Sequence, residues 1–162
     1  MEDWSARAYG LATAADVEGL DGLAVLEKIV RGDIPAPSIC RQLTFRLVEV
    51  SKGFAAFEGD TGDHLHNPFG TVHGGWALTL IDSATGCAAH SLLEAGVGYT
   101  TVETKGNCSK PILPDTGRVR CEAKVVSAGR RIMTCDSRVL DAKGTLLAHG
   151  TSTLMVLRPK IK

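Results

Sequence analysis

The sequence predicts an α+β fold in which an antiparallel sheet packs around one long buried helix. Residues 74–93 are rich in Ala and Leu, carry almost no charge and place apolar residues on every face, as expected of a buried helix. Other segments alternate apolar with polar residues or are rich in β-branched residues, which is typical of strands: 43–50, 54–58, 99–108, 118–127, 132–140 and 145–157. The connections between neighbouring strands are too short for parallel crossovers, so we expect about five or six antiparallel strands.

The first part of the chain is predicted to be an arm and not a separate domain. Residues 20–30 place apolar side chains at helical spacing, and a stretch with one Gly and two Pro at residues 32–37 ends that pattern. We therefore expect residues 1–37 to form an N-terminal arm with one short helix, and residues 38–162 to form the main domain. The arm could pack on a neighbouring subunit or cover the site.

The composition argues against several classes of partner. The 162 residues include 18 basic and 18 acidic side chains, so no overall basic field favours a nucleic acid or an anionic membrane. No apolar stretch reaches the length of about 18 residues that a membrane span requires.

The five cysteines are odd in number and lack a C-x-x-C pair, which favours reduced thiols in a cytoplasmic protein. The histidines at 64, 66 and 73 are interpreted as loop residues, so no metal is expected.

Asp82 is the only charged residue within the apolar part of the predicted helix. A buried carboxylate without a partner is unfavourable by several kcal/mol, or is forced to take up a proton. Two interpretations follow from the residues alone. Asp82 either has a functional role, or it is a structural residue bonded to a neighbouring backbone group or hydroxyl, such as that of Thr79, Ser83 or Thr85.

The segment that precedes this helix, residues 67–75, reads NPFGTVHGG. Gly74 and Gly75 at a helix start leave backbone N–H groups open to close approach by a ligand. Those groups, together with the helix dipole, can stabilise an anion or a developing oxyanion. The alternative is a tight turn with His73 near the N-cap of the helix.

The pattern NxxGxxHGG at residues 67–75, followed by Asp82 in an Ala/Leu-rich helix, resembles the hotdog-fold acyl-CoA thioesterases of the PaaI type. That group includes phenylacetate-pathway enzymes, and the resemblance covers roughly residues 43–157. It implies a curved sheet wrapped around the central helix. It also implies hydrolysis of acyl-CoA to a carboxylic acid and coenzyme A, with no cofactor, because coenzyme A is part of the substrate.

The resemblance implies a role for each matching residue. Asp82 would act as general base or nucleophile, and the Gly74 backbone N–H would polarise the thioester carbonyl. Asn67 would hold the attacking water or the carbonyl, and His73 would orient the motif. The hydroxyl of Thr101, or that of Thr100, would lie near the carboxylate. In this family the site lies between two subunits, so the resemblance implies a homodimer. A dimer of dimers is the larger assembly expected, although the sequence does not decide between dimer and tetramer.

Further residues are candidates for substrate binding. Gly75, Trp76 and Leu78 belong to the first turns of the predicted helix and could contact the acyl group, although Trp76 could equally be a core residue. Arg130 and Arg131 follow a Gly at a predicted turn and suit bidentate contact with the phosphates of coenzyme A. The alternative is that both arginines are simply solvated.

Two other functions remain open from the sequence. One is a hotdog hydratase or dehydratase of enoyl-CoA or β-hydroxyacyl substrates, and the run of residues 70–75 favours hydrolysis over it. The other is a non-catalytic module that binds an acyl-CoA and gives Asp82 no chemical task. The identity of the acyl group does not follow from the sequence.

Overall fold

The computed structural model describes residues 7–159, so residues 1–6 of the predicted arm and 160–162 of the predicted main domain lie outside the described part. The predicted α+β hotdog fold is confirmed. All strand pairs are antiparallel and form one sheet in the order β1-β2-β4-β5-β6-β3. The strands are β1 Phe45–Ser51, β2 Phe54–Asp60, β3 Gly98–Cys108, β4 Arg118–Ala128, β5 Ile132–Leu140 and β6 Leu146–Leu157.

The sheet wraps around the long central helix, α4, which spans Gly74–His90 and contacts all six strands. Small residues allow this close packing: a Cβ added at Gly150 would lie 3.0 Å from the side chain of Ile81, and one at Gly106 would lie 2.6 Å from that of Leu78. Although α4 is strongly apolar, no helix within residues 7–159 is long and apolar enough to cross a membrane.

The described part of the N-terminal arm contains two short helices where the sequence predicted one, and a third short helix follows directly after the arm. The predicted helix is α2, Gly22–Arg31, which begins after the N-cap Asp21 and ends at Gly32 with a φ of 84°. The structure adds α1, Ala14–Val17, and α3, Ser38–Gln42. Both are too short to give a periodic apolar pattern. Helices α2 and α3 pack against β1, and α2 also contacts α4.

A β-bulge interrupts the edge strand β3 between Thr101 and Glu103. Val102 and Glu103 are both exposed, whereas Thr101 and Thr104 on either side are half-buried. A bulge inserts one extra residue and so shifts the alternation of side chains by one position. As a result Thr101 and Thr104 both face the central helix, although their spacing of three would place them on opposite faces of a regular strand.

Candidate active site

Asp82 lies in the middle of α4, half-buried and facing β3. The Thr104 hydroxyl donates to Asp82 Oδ1 at 3.0 Å, and Thr104 Oγ1 lies 3.0 Å from Ser152 Oγ. Ser152 Oγ in turn lies 2.8 Å from Thr85 Oγ1, whose hydroxyl is also 2.9 Å from the Ile81 carbonyl. The Thr85 hydroxyl donates to Ser152 Oγ, so with Thr104 donating to Asp82 the Ser152 hydroxyl can donate to Thr104. This chain of hydroxyls fixes one oxygen of the carboxylate.

The second carboxylate oxygen of Asp82 accepts no hydrogen bond from residues 7–159. The hydroxyls of Thr79 and Thr85 bond to helix carbonyls one turn earlier and not to this carboxylate. A structural Asp would be expected to have both oxygens occupied by its neighbours. The arrangement instead leaves Oδ2 available to a water or a substrate.

Thr104 is a site residue that the sequence reasoning did not single out. Thr101 was expected near the carboxylate, and it does line the same cavity as Asp82. The hydroxyl that bonds to the carboxylate, however, belongs to Thr104. Only the bulge makes both threonines face α4, and no residue pattern in the strand signals that bulge.

An apolar cavity of about 200 Å³ lies beside Asp82. The central helix contributes Ser83 and Cys87, and β3 contributes Tyr99 and Thr101. Most of the remaining wall comes from residues 26–40. Burial raises the pKa of the Cys87 thiol to about 12. The thiol is therefore protonated at neutral pH and is not suited to act as a nucleophile.

The start of α4 presents one free backbone donor. His73 is the N-cap residue, and its Nδ1 accepts from the Gly75 N–H at 2.9 Å. The Trp76 N–H donates to the His73 carbonyl at 2.9 Å. The Gly74 N–H has no acceptor within residues 7–159. Of the two glycines at the helix start, Gly74 is therefore the one whose N–H can bind a ligand.

The Asn67 side chain closes the loop that leads to this helix. Its Oδ1 accepts from the Phe69 N–H at 2.9 Å, and its Nδ2 donates to the Thr71 hydroxyl at 2.7 Å. These bonds hold the backbone of residues 67–71 in a tight turn. An amide carries two N–H groups, so one donor of Asn67 Nδ2 remains for another partner.

The predicted catalytic residues do not meet at one point within this chain. Gly74 and Asp82 are eight positions apart on one straight helix, which is about 12 Å along its axis. A thioester carbonyl group at Asp82 is therefore out of reach of the Gly74 N–H of the same chain. Gly74 instead lies with Leu78 in a separate crevice of about 100 Å³ against the end of β3.

The other substrate-binding candidates lie elsewhere. The Trp76 side chain is a core residue, 3% exposed, and its Nε1 donates to the Leu43 carbonyl at 2.8 Å. With His73 and Gly75 it borders a third cavity, of about 320 Å³. Arg130 and Arg131 are exposed on the turn between β4 and β5, and neither forms an ion pair within residues 7–159.

No group of three His, Cys, Asp or Glu residues in the described part of the chain could hold a metal ion. His66 lies 3.5 Å from an oxygen of Asp63, and His64 Nε2 lies 3.0 Å from the Thr44 hydroxyl. The loop histidines that precede α4 thus have local protein partners.

Residues 69–148 match the family model described as thioesterase superfamily. The match begins just before the helix entrance and includes Gly74, Asp82 and Thr104. The chain belongs to the thioesterase superfamily. A solved structure of a conserved protein from Pseudomonas aeruginosa is 30% identical and has a TM-score of 0.69, covering 74% of this chain and 94% of that one.

Two further proteins are similar to this chain, one in sequence and one in fold. The 1,4-dihydroxy-2-naphthoyl-CoA hydrolase of Listeria monocytogenes is 25% identical over 116 residues, covering 70% of this chain and 91% of that protein. The PaaI protein from the phenylacetic acid degradation operon of E. coli is 17% identical, with a TM-score of 0.69, covering 77% of this chain and 88% of that one. The PaaI likeness concerns the fold, and it agrees with the resemblance in the sequence.

Proposed function

We propose that this protein hydrolyses acyl-CoA thioesters to a carboxylic acid and free coenzyme A. The observation that carries the proposal is the Asp82 carboxylate, which has one oxygen held by Thr104 and the other available beside an apolar cavity. The name of the Listeria relative, a hydrolase of an acyl-CoA, supports the same substrate class. Membership of the thioesterase superfamily supports the reaction type.

The proposed reaction needs one base or nucleophile and one oxyanion donor. In one route, Asp82 takes a proton from water as the water oxygen attacks the thioester carbon, and the C–S bond then breaks. In the other, Asp82 attacks that carbon itself, the C–S bond breaks, and a water molecule then hydrolyses the resulting mixed anhydride to release the acid and restore the carboxylate. The departing sulfur takes up a proton to give free coenzyme A. The Gly74 N–H at the positive end of the helix dipole stabilises the oxyanion that forms on the carbonyl oxygen.

Two copies of the chain would bring these groups together. The strand β3 forms an edge of the sheet, with β6 on one side, and a long edge strand is a template for pairing with another chain. Gly74 lies beside Cys108 at the end of β3, whereas Asp82 lies beside Thr104 near its middle. An antiparallel pairing of two β3 strands centred near Lys105 would set residues 101–104 opposite residues 106–109 of the second copy. Gly74 of that copy would then approach Asp82.

The remaining candidates take supporting roles in the proposed homodimer. Asn67 and His73 hold the loop and the helix start that present the Gly74 N–H. The free donor of Asn67 Nδ2 could also contact the attacking water. Arg130 and Arg131 are exposed cations and suit the phosphates of coenzyme A, which carry negative charge and would lie outside the apolar cavity.

Release of free thiol from a panel of acyl-CoAs tests the proposed function. We expect turnover with at least one ester, without added metal or cofactor. Hydration of crotonyl-CoA serves as the comparison assay, and the loss of the enoyl absorbance measures it. Hydration without thiol release would replace the proposal with a hydratase, and tight acyl-CoA binding without either reaction would replace it with a binding module.

Thr104→Val removes the hydroxyl that positions Asp82, and we expect it to lower kcat by roughly 10- to 100-fold with little change in KM. A hydrogen bond to a charged group contributes about 1.5–3 kcal/mol, and here it orients the carboxylate and does not bind the substrate. Thr104→Ser keeps the hydroxyl and should restore most of kcat. Equal activity of the Val and Ser variants would contradict the positioning role.

A further inference from the structure

We propose that the N-terminal arm and the helix α3 that follows it, together residues 7–42 of the described chain, form the far wall of the acyl pocket and limit the acyl group to a medium-length chain or a single aromatic ring. The inference rests on the proposed hydrolysis of acyl-CoA. It concerns a part of the chain that precedes the segment matched by the family model, which begins at residue 69.

Residues 7–42 contribute nearly half of the residues that line the cavity beside Asp82. Six of the residues that line the cavity come from this segment, and none of them is charged: Leu26, Ile29, Ala36, Pro37, Ile39 and Cys40. Asp82 is the only charged residue in the entire lining. An apolar lining with no cation suits the hydrocarbon part of a substrate and not the phosphates of coenzyme A.

The arm is fastened to the rest of the molecule at several points. The Gly22 N–H donates to the Leu93 carbonyl at 2.9 Å, and a Cβ at Gly22 would lie 1.9 Å from the His90 carbonyl oxygen. Only glycine allows α2 to approach the end of α4 so closely. Such contacts make the arm a fixed wall whose shape can select a substrate.

The other end of α2 is also held in place. The Arg7 guanidinium donates to the Ile29 and Val30 carbonyls at 2.7 and 2.6 Å, and so satisfies acceptors at the C-terminal end of the helix. The Gly10 N–H donates to the Ala36 carbonyl at 2.9 Å, next to the parallel bridge between Tyr9 and Ala36. Hydrogen bonds thus join residues 7–10 to the segment that carries the pocket-lining residues.

The volume of the cavity sets the size of the acyl group. The cavity measures about 200 Å³, whereas an apolar cavity of about 150 Å³ in another protein holds one benzene ring. We therefore expect room for one substituted ring or a chain of about six to eight carbons. A fatty acyl chain of about sixteen carbons would have to displace the arm.

A chain-length series of saturated acyl-CoAs, from acetyl to hexadecanoyl, tests the proposal. We expect kcat/KM to rise about three- to fourfold for each methylene up to about six to eight carbons, because each buried methylene adds transfer free energy, and then to fall. Benzoyl-CoA and phenylacetyl-CoA should be hydrolysed about as well as the best straight-chain ester.

Substitutions at Ile29 should move that maximum in opposite directions. Ile29→Phe fills the pocket and should shift the best substrate to a shorter chain, and Ile29→Ala should shift it to a longer one. Val30→Ala is the matched control: Val30 is half-buried on the same helix but does not line the cavity. Thermal unfolding of each variant shows whether it is folded. If the Ile29 variants are folded and keep the chain-length profile of the wild type, the inference about the acyl pocket is wrong. The proposed hydrolysis of acyl-CoA is not affected by that result.

Binding of S-alkyl-CoA thioethers, which cannot be hydrolysed, separates the pocket from the reaction. Their affinity should rise with alkyl length up to about six to eight carbons, and Ile29→Phe should weaken the longer members most. If affinity does not depend on alkyl length, the proposed acyl pocket is wrong. If affinity depends on alkyl length as predicted but the protein has no turnover, the pocket stands and only the proposed hydrolysis is wrong.

Discussion

Asp82→Asn is expected to lower kcat for acyl-CoA hydrolysis by about 10²- to 10⁴-fold while the fold remains intact. The amide keeps the shape of the carboxylate, and its oxygen can still accept from the Thr104 hydroxyl. It cannot accept a proton from water or form a covalent intermediate, so general-base or nucleophilic catalysis is lost. Thiol release under saturating substrate measures the effect, and a thermal unfolding midpoint checks the fold.

Asp115→Asn provides a control for the loss of a negative charge at an exposed position. It should retain the kcat and KM of the wild type. If Asp82→Asn is folded and also retains the kcat of the wild type, Asp82 is a structural residue and its assignment as catalytic carboxylate is wrong.

Gly74→Pro is expected to lower kcat by about 10²- to 10³-fold, because it removes the N–H that is proposed to stabilise the oxyanion. Proline is well tolerated at the first position of a helix, and Gly74 occupies that position in α4. The preceding residue, His73, has φ −61° and ψ 130°, which is the backbone conformation that a following proline favours. The substitution therefore removes one donor with little change to the helix.

Gly74→Ala separates the donor from the size of the side chain. It keeps the N–H, and a Cβ at this position has Cys108 Sγ as its nearest neighbour at an ordinary 3.9 Å. We expect its kcat to stay within about threefold of the wild type. If the Ala and Pro variants lose kcat equally, space at residue 74 and not the N–H limits the reaction.

The central helix and the sheet could be predicted because their patterns are local. An apolar run with one charge marks α4, and alternation with short turns marks the six antiparallel strands. The helix entrance could be recognised for the same reason, since the glycine pair and His73 are contiguous in the sequence. His73 is in fact the N-cap residue.

The hydroxyl that donates to the Asp82 carboxylate could not be predicted in the same way. Thr104 reaches the carboxylate because the β3 bulge changes which side chains face the helix, and bulges depend on how two strands pair. The residues that form the wall of the cavity could not be predicted from the sequence either. Ile29 and Cys40 line the cavity with Asp82 although they lie far from it in the sequence, and the contact of Gly22 with the segment after α4 joins equally distant parts of the chain.

Activity of mixed dimers tests the shared site most directly. Asp82→Asn and Gly74→Pro chains are each expected to be nearly inactive alone, and a hybrid of the two would hold one intact site and one doubly damaged site. When equal amounts are co-refolded or co-expressed, random pairing should restore about a quarter of the wild-type thiol release, since half of the dimers are hybrids with one of two sites intact. An activity no higher than the average of the two separate variants, in samples shown to contain hybrids, would contradict a site built from Asp82 of one subunit and Gly74 of the other.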